Sequence, residues 1–162
     1  MKKNFSATSL VHGAFIAALY IILTYLANAL SLANGIIQIR FSEALCILPL
    51  FTPAAIWGLF AGCLISNFLT GCVLIDVILG SIATLIGAIG TRLLKKKPLL
   101  SVLPPIIANV LIIPPVLAYV YKFEGSIWYF ALTVGIGEII SCGMLGLLLY
   151  KVLAKYKTII FK

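Results

Sequence analysis

The sequence is poor in charged residues, and above all in acidic ones. Only 10% of its 162 residues are charged, and Asp and Glu together number four. A soluble domain of this length carries roughly a quarter charged residues. The shortage of charge therefore excludes an ordinary water-soluble fold. Together with a mean hydropathy of +1.21, it indicates a protein that lies in a lipid bilayer.

The sequence also lacks the motifs of the common hydrolases and metalloenzymes. It contains no GxxxxGK[ST] phosphate-binding loop, no HExxH zinc motif and no GxSxG nucleophile elbow. Its four cysteines show no CxxC or Cys/His spacing, so we interpret them as small packing residues. We therefore predict no catalytic residue, metal or cofactor, and a chain that does not hydrolyse ATP by itself.

Apolar residues, in contrast, make up 63% of the chain and form five long runs. A bilayer core about 30 Å thick requires about 20 helical residues per crossing. The second run contains Pro49 and Pro53, and proline lacks the amide donor that a helix interior uses. A turn near these prolines divides the second run into two crossings. A single helix kinked by proline remains the alternative.

We predict an all-α integral membrane protein of a single domain, residues 1–162, with six transmembrane helices. With the N-terminus in the cytoplasm, six crossings leave only Arg40 and Lys122 outside, whereas the other ten of the twelve Lys and Arg residues lie inside. Both termini are then cytoplasmic, in a bacterial plasma membrane. Five crossings would place the basic 92–97 segment outside. The predicted helices cover residues 10–32, 36–51, 53–70, 73–94, 99–121 and 127–151.

Small residues recur at the four-residue spacing that allows helices to approach closely in lipid. Gly58 and Gly62 form such a pair on the predicted third helix, and internal packing is the simpler explanation for them. Ala14 and Ala18 form another pair, on a face of the first helix that has few polar residues. We predict that Ala14 and Ala18 contact a partner protein.

Polar side chains within the predicted helices gather toward the outer half of the membrane. Ionisable groups are costly there unless they are paired, so they indicate a functional site. Glu138, near the middle of the last span, requires either a protein partner such as Asn109 or a ligand donor. We predict a pocket that binds a small molecule from outside. The predicted substrate-binding residues are Glu138, Glu43, Asn67, Asn109, Asp76, Arg40 and Trp128.

Three of these assignments have structural alternatives. Arg40 and Glu43 are three residues apart, a spacing that suits a salt bridge on an outer loop. Asp76 lies near a helix start, where it is placed to cap the helix. Trp128 also fits an aromatic belt at the membrane interface.

Several blocks of the sequence resemble one family of membrane transporters. The blocks are Gln38-Ile-Arg-Phe-Ser-Glu-Ala-Leu, Leu48-Pro-Leu-Phe, Ala55-Ile-Trp-Gly-Leu, Asn67 and Asp76-Val-Ile-Leu-Gly-Ser. They are similar to the QueT family of substrate-binding (S) components of energy-coupling factor (ECF) transporters. The resemblance extends over nearly the whole chain, and its most specific part runs from RFSEAL to LPLF.

This resemblance implies uptake of a queuosine precursor, a deazaguanine base such as queuine or its aminomethyl or cyano precursors. It also implies a transmembrane coupling protein and two cytoplasmic ATPases as partners, with Ala14 and Ala18 matching the small-xxx-small motif that faces the coupling protein. A carboxylate suits the donor edge of such a base, and a second acid suits an aminomethyl cation. Which acid meets which group stays open, as do an S component for another vitamin and a membrane assembly protein without a ligand.

Overall fold

The computed structural model describes residues 7–33 and 37–156, and within these residues all regular secondary structure is helical. The predicted all-α class is therefore confirmed. The described residues form six helical segments, of which the last two each contain a π-helical stretch. They are α1 (Ala7–Ala29), α2 (Phe41–Leu50), α3 (Ala54–Leu69), α4 (Leu74–Leu93), α5 (Leu103–Val120) and α6 (Ile127–Lys155).

Four of these segments, α1, α4, α5 and α6, are long and apolar enough to cross a membrane. Helix α3 has 16 residues and α2 has 10, which correspond to about 24 Å and about 20 Å. Neither length alone reaches across a hydrocarbon layer of about 30 Å. Six crossings therefore remain a prediction for this chain.

The second segment differs from the helix predicted for residues 36–51. It is a 3₁₀ helix that begins at Phe41 and contains Pro49, and residues 34–36 lie outside the described part of the chain. Arg40 has an extended backbone, with φ −112° and ψ 109°. The cause is tertiary, because the Arg40 N–H donates to the Ser141 hydroxyl of α6 at 3.1 Å instead of to a helical carbonyl. Non-helical backbone is tolerated at membrane depth where protein surrounds it or a cavity adjoins it.

The fifth segment begins at Leu103 rather than at the predicted residue 99. Residues 98–102 form turns, and the Thr91 hydroxyl donates to the Ser101 carbonyl at 2.8 Å. Pro104 and Pro105 occupy the first turn of α5, where their missing amide donors are not needed.

Glycines bring neighbouring helices into close contact. A Cβ atom on Gly58 would lie 2.6 Å from the Gly13 carbonyl oxygen, and one on Gly62 would lie 2.7 Å from the Tyr20 Cβ. The Gly58 and Gly62 pair thus packs α3 against α1, which agrees with the simpler interpretation of this pair. Close backbone contact of this kind is the usual way to join helices in lipid.

The helices alternate in direction, so the bundle has two chemically different ends. Arg92 lies in the last turn of α4 and Lys155 in the last turn of α6. His12 of α1 and Leu153 of α6 line one apolar cavity of about 390 Å³, so the start of α1 lies beside the end of α6. We call this the basic end. At the opposite end, the site end, lie the last turns of α1, α3 and α5 and the first turn of α4.

Candidate functional site

A polar cavity of about 310 Å³ lies at the site end of the bundle. Helices α1, α3, α4 and α5 line it together with the chain that precedes α2. Its volume is at the lower limit of ligand pockets, which range from about 300 to 1,000 Å³, so it suits a small ligand. The main polar side chains that line this cavity are Thr24, Asn28, Gln38, Arg40, Asn67 and Asp76.

Asp76 and Tyr121 form one wall of this cavity. The Tyr121 phenol donates to Asp76 Oδ2 at 2.8 Å, and its oxygen accepts the Val73 N–H at 3.3 Å. Burial of the phenol, followed by its bond to Asp76, raises the pKa of Tyr121, so this group remains a hydrogen-bond donor at neutral pH. Asp76 does not act as the helix cap considered from the sequence. The N-cap position of α4 is Val73, which makes no side-chain capping hydrogen bond.

A much smaller cavity, of about 20 Å³, adjoins the main one and shares Gln38, Arg40 and Ile113 with it. Glu138 and Asn109 also line this inner cavity and are only 8% and 6% exposed. Glu138 Oε2 and Asn109 Nδ2 have no hydrogen-bond partner in the described structure. Buried polar atoms are nearly always bonded, and an unbonded one costs about 1–3 kcal/mol. The side chains of Glu138 and Asn109 lie close enough to interact with each other, as the sequence alternative proposed, but neither of these two atoms is in a well-formed hydrogen bond. Both atoms therefore remain candidates for contact with a ligand.

Arg40 lies inside the bundle rather than on the outer loop that the sequence suggested. It lines both cavities, and its guanidinium donates to Gln38 Oε1 at 3.3 Å. This position results from the extended chain before α2, which runs beside α6. Arg40 thereby places one positive charge in the wall that the cavity of Asp76 shares with the cavity of Glu138.

Glu43 lines neither cavity and is 2% exposed. The Tyr20 phenol donates to its Oε1, and the Cys46 thiol donates to its Oε2 at 3.0 Å. Beside this group, the Thr24 hydroxyl donates to the Ser42 hydroxyl at 3.0 Å. The carboxylate is thus bonded within the protein, and not to Arg40 as the salt-bridge alternative required. This placement gives Glu43 a structural role in joining α1 to α2.

Asn67 lies in the main cavity beside Asp76. Its Nδ2 donates to the Cys63 sulfur at 3.5 Å. A Cβ atom on Gly80 would lie 3.1 Å from this Nδ2 and 3.8 Å from Asp76 Oδ1. Because Gly80 has no side chain, there is room beside it for the side chains of Asn67 and Asp76.

Trp128 lies apart from the other predicted residues. It is 84% exposed and lines neither cavity, which fits the interfacial belt better than ligand binding. The aromatic residues that do line the main cavity are Tyr121 and Phe123, whose rings stack with centroids 5.5 Å apart.

Sequence reasoning missed Thr24, Asn28 and Gln38 as lining residues. Thr24 and Asn28 had a usable signal, because two polar residues four apart share one face of a helix. Gln38 had none of its own, since its position depends on the extended chain before α2.

Ala14 and Ala18, the predicted partner contacts, are exposed on α1. Ala14 lines a shallow apolar groove of about 220 Å³ that also includes Gly13, Ala17 and Trp57. Among the described residues that line this groove, none carries a charge. Its use by a partner stays a prediction.

Comparisons with known proteins give a consistent result. A family model described as "QueT transporter" matches residues 10–155 of the chain. A curated relative from Lactococcus lactis subsp. cremoris (strain MG1363), named "Queuosine precursor transporter QueT", is 40% identical over 86 residues, which cover 53% of this chain and 50% of the relative. The match thus spans about half the length of that relative. No solved structure matches the chain significantly.

Proposed function

The chain belongs to the QueT transporter family, and from this membership and the cavity geometry we propose that it captures a queuosine precursor, a deazaguanine base. The observation that carries the proposal is the pair of unbonded buried atoms, Glu138 Oε2 and Asn109 Nδ2, beside a polar cavity. A guanine-like base presents a ring N–H beside a carbonyl oxygen. Glu138 supplies an acceptor for the N–H and Asn109 a donor for the carbonyl.

Burial strengthens this recognition. In a buried site a hydrogen bond contributes about 0.5–1.5 kcal/mol, and a donor or acceptor left unbonded costs about 1–3 kcal/mol. The same burial penalises a ligand that leaves either atom unbonded. The site therefore favours a base with the complementary edge over apolar molecules of similar size.

Binding by the purified protein tests this proposal. We expect isothermal titration calorimetry to detect binding of queuine or a smaller deazaguanine precursor, and Glu138→Gln to weaken it about 10-fold or more because an amide donor replaces one of the two acceptor oxygens. Glu124→Gln is the matched control, since Glu124 is exposed and lines neither cavity. Absence of binding to all these bases would contradict the function. Equal affinities of Glu138→Gln and Glu124→Gln would contradict the assignment of Glu138 to the binding site.

The proposal includes six crossings, with the cavity facing outward and both termini in the cytoplasm. Residues 38–40, which precede the helix, and α2 together provide up to about 30 Å, from about 3.3 Å per extended residue and about 2.0 Å per 3₁₀ residue. This length is comparable with the hydrocarbon layer. The basic end then faces the cytoplasm, as the positive-inside rule favours, and the cavity faces the side from which a nutrient arrives.

The proposal further includes an ECF-type assembly, in which a transmembrane coupling protein and two cytoplasmic ATPases provide the energy. The sequence has no phosphate-binding loop of its own, and Ala14 and Ala18 give α1 an exposed surface of small residues. Such a surface allows a partner helix to approach closely.

Co-purification tests this assembly. We expect ATPase subunits to be retained by the unmodified chain and lost in Ala14→Trp or Ala18→Trp, because the indole holds the partner helix away. Ala29→Trp is the control, since Ala29 is exposed on the same helix but at the site end. Retention of the ATPases in both Trp variants would contradict docking at this surface.

A further inference from the structure

The two cavities of the site differ in what they hold. The main cavity, of about 310 Å³, has room for a small ligand. The inner cavity, of about 20 Å³, has room for about one water molecule and not for a ring. Glu138 and Asn109 line the inner cavity, and neither lines the main one. A base in the main cavity therefore reaches these two side chains when the wall between the cavities gives way.

That wall consists of the residues that both cavities share, Gln38, Arg40 and Ile113. The backbone of this part of the wall is fixed by its neighbours. The Arg40 N–H donates to the Ser141 hydroxyl at 3.1 Å, and the Gln38 carbonyl lies close against Gly137 of α6. A change in the wall is thus a movement of side chains.

The side chains of Gln38 and Arg40 are joined by one hydrogen bond. The Arg40 Nη2 donates to Gln38 Oε1 at 3.3 Å, which is longer than the usual 2.9–3.0 Å. A guanidinium group only donates, so it requires an oxygen acceptor in this position. Another oxygen that reaches Arg40 therefore takes the place of the Gln38 amide at little cost.

The Gln38 side chain and the proposed ligand present the same chemical group to Arg40. A primary amide carries a carbonyl oxygen and N–H donors on one carbon atom, and the lactam edge of a deazaguanine carries a carbonyl oxygen beside an N–H. A carbonyl oxygen has two lone pairs. The lactam oxygen is thus able to accept from Arg40 and from Asn109 together, since both side chains line the inner cavity.

We propose that Gln38 is an internal competitor of the ligand. In the free protein its amide occupies the Arg40 guanidinium and closes the inner cavity, and the lactam oxygen of the ligand replaces it. This inference rests on the proposed function, and it adds Arg40 as a donor to the lactam and Gln38 as the residue that limits affinity. When the competent state is only partly populated, the apparent affinity falls by that fraction.

The sign of a change in affinity tests this inference. The purified full chain and its variants are titrated with 7-cyano-7-deazaguanine and with queuine, which share the lactam edge. We expect Gln38→Ala to bind both bases about 3- to 10-fold more tightly than the unmodified chain, because the competitor is removed. We expect a gain in Gln38→Asn as well, since its amide is one methylene shorter and withdraws from Arg40. Asn28→Ala is the matched control, because Asn28 is an amide that lines the main cavity alone, and we expect no gain there.

Unchanged or weaker binding in the Gln38 variants would overturn the inference while the proposed function stands, because a ligand contact or a purely structural residue loses affinity when it is truncated. Gln38→Asn decides alone if gel filtration shows that Gln38→Ala is not monodisperse. An equal gain in Asn28→Ala would also overturn the inference, since the larger cavity would then account for it. Binding of neither base, by the unmodified chain or by the Gln38 variants, would instead contradict the proposed function.

Discussion

At the residue scale, the clearest structural feature is the hydrogen bond between Tyr20 and Glu43. Both side chains are almost fully buried, and they join the middle of α1 to the start of α2. A carboxylate at this depth is costly unless donors satisfy it. The bond therefore holds α2 against α1. It thereby also fixes the position of the chain before α2, which lines both cavities.

The first prediction concerns this bond. We expect Tyr20→Phe to reduce stability by about 1–3 kcal/mol, because it leaves a buried carboxylate oxygen without its donor. Thermal unfolding in detergent measures the change. Tyr25→Phe is the matched control, since Tyr25 lies on the same helix and its exposed phenol makes only a 3.4 Å bond to the Leu69 carbonyl. An equal loss of stability in the two variants would contradict the structural role of Glu43.

At the element scale, α6 positions the chain before α2. A Cβ atom on Gly137 would lie 2.2 Å from the Gln38 carbonyl oxygen, so only glycine allows this approach. The neighbouring Glu138 points into the inner cavity, and the helix continues as a π-helix over Ile139–Leu145. π-Helical turns are rare and often occur at functional sites. Here the π-helical stretch carries Ser141, which accepts the Arg40 N–H.

The second prediction follows from this contact. We expect Gly137→Ala to displace residues 38–40 and so to weaken ligand binding about 10-fold or more, because a misplaced site loses charge-assisted bonds. Gly135→Ala is the control, since a Cβ there would lie 3.5 Å from Val110 Cγ2, an ordinary contact. Titration of both variants, each checked by gel filtration, measures the effect. If Gly137→Ala binds as well as Gly135→Ala, the contact does not position the site.

At the scale of the whole molecule, the polar and basic groups are separated along the bundle. The polar cavity lies at one end. At the other end lie Arg92, in the last turn of α4, and Lys95, Lys96 and Lys97, just after it. Under the positive-inside rule, this separation favours the proposed direction of the protein in the membrane, with the basic end in the cytoplasm. The buried apolar core of the bundle includes Tyr20, Leu59 and Ile47.

The third prediction concerns this direction. In a Cys72→Ser background, which removes the most accessible cysteine, we expect Glu124→Cys to react with an impermeant maleimide added outside intact cells. Lys96→Cys should react only after the membrane is permeabilised. Both positions are exposed in the folded chain, so burial does not account for a difference. Labelling of both from outside, or of Lys96→Cys alone, would contradict the proposed topology.

The sequence predicted part of the candidate site because its signals are local. Arg40, Asn67 and Asp76 line the main cavity and Asn109 and Glu138 the inner one, since a rare polar group in an apolar run is conspicuous by itself. The partners of Glu43 were not predictable, because Tyr20 lies 23 residues away on another helix. The role of Trp128 could not be decided from the sequence, because an aromatic residue near a helix start suits the membrane interface as well as it suits a ligand site.

By itself, the sequence determined that this is an all-helical chain suited to a bilayer, because the length and spacing of apolar runs reflect the thickness of the hydrocarbon layer. Tertiary structure alone decided that Arg40 has an extended backbone, that α2 is a short 3₁₀ helix and that Arg40 lines both the cavity of Asp76 and the cavity of Glu138. The physical reason is that backbone in an apolar environment must find its hydrogen bonds within the protein. At Arg40 the partner is Ser141, which lies 101 residues away and cannot be seen in any local pattern.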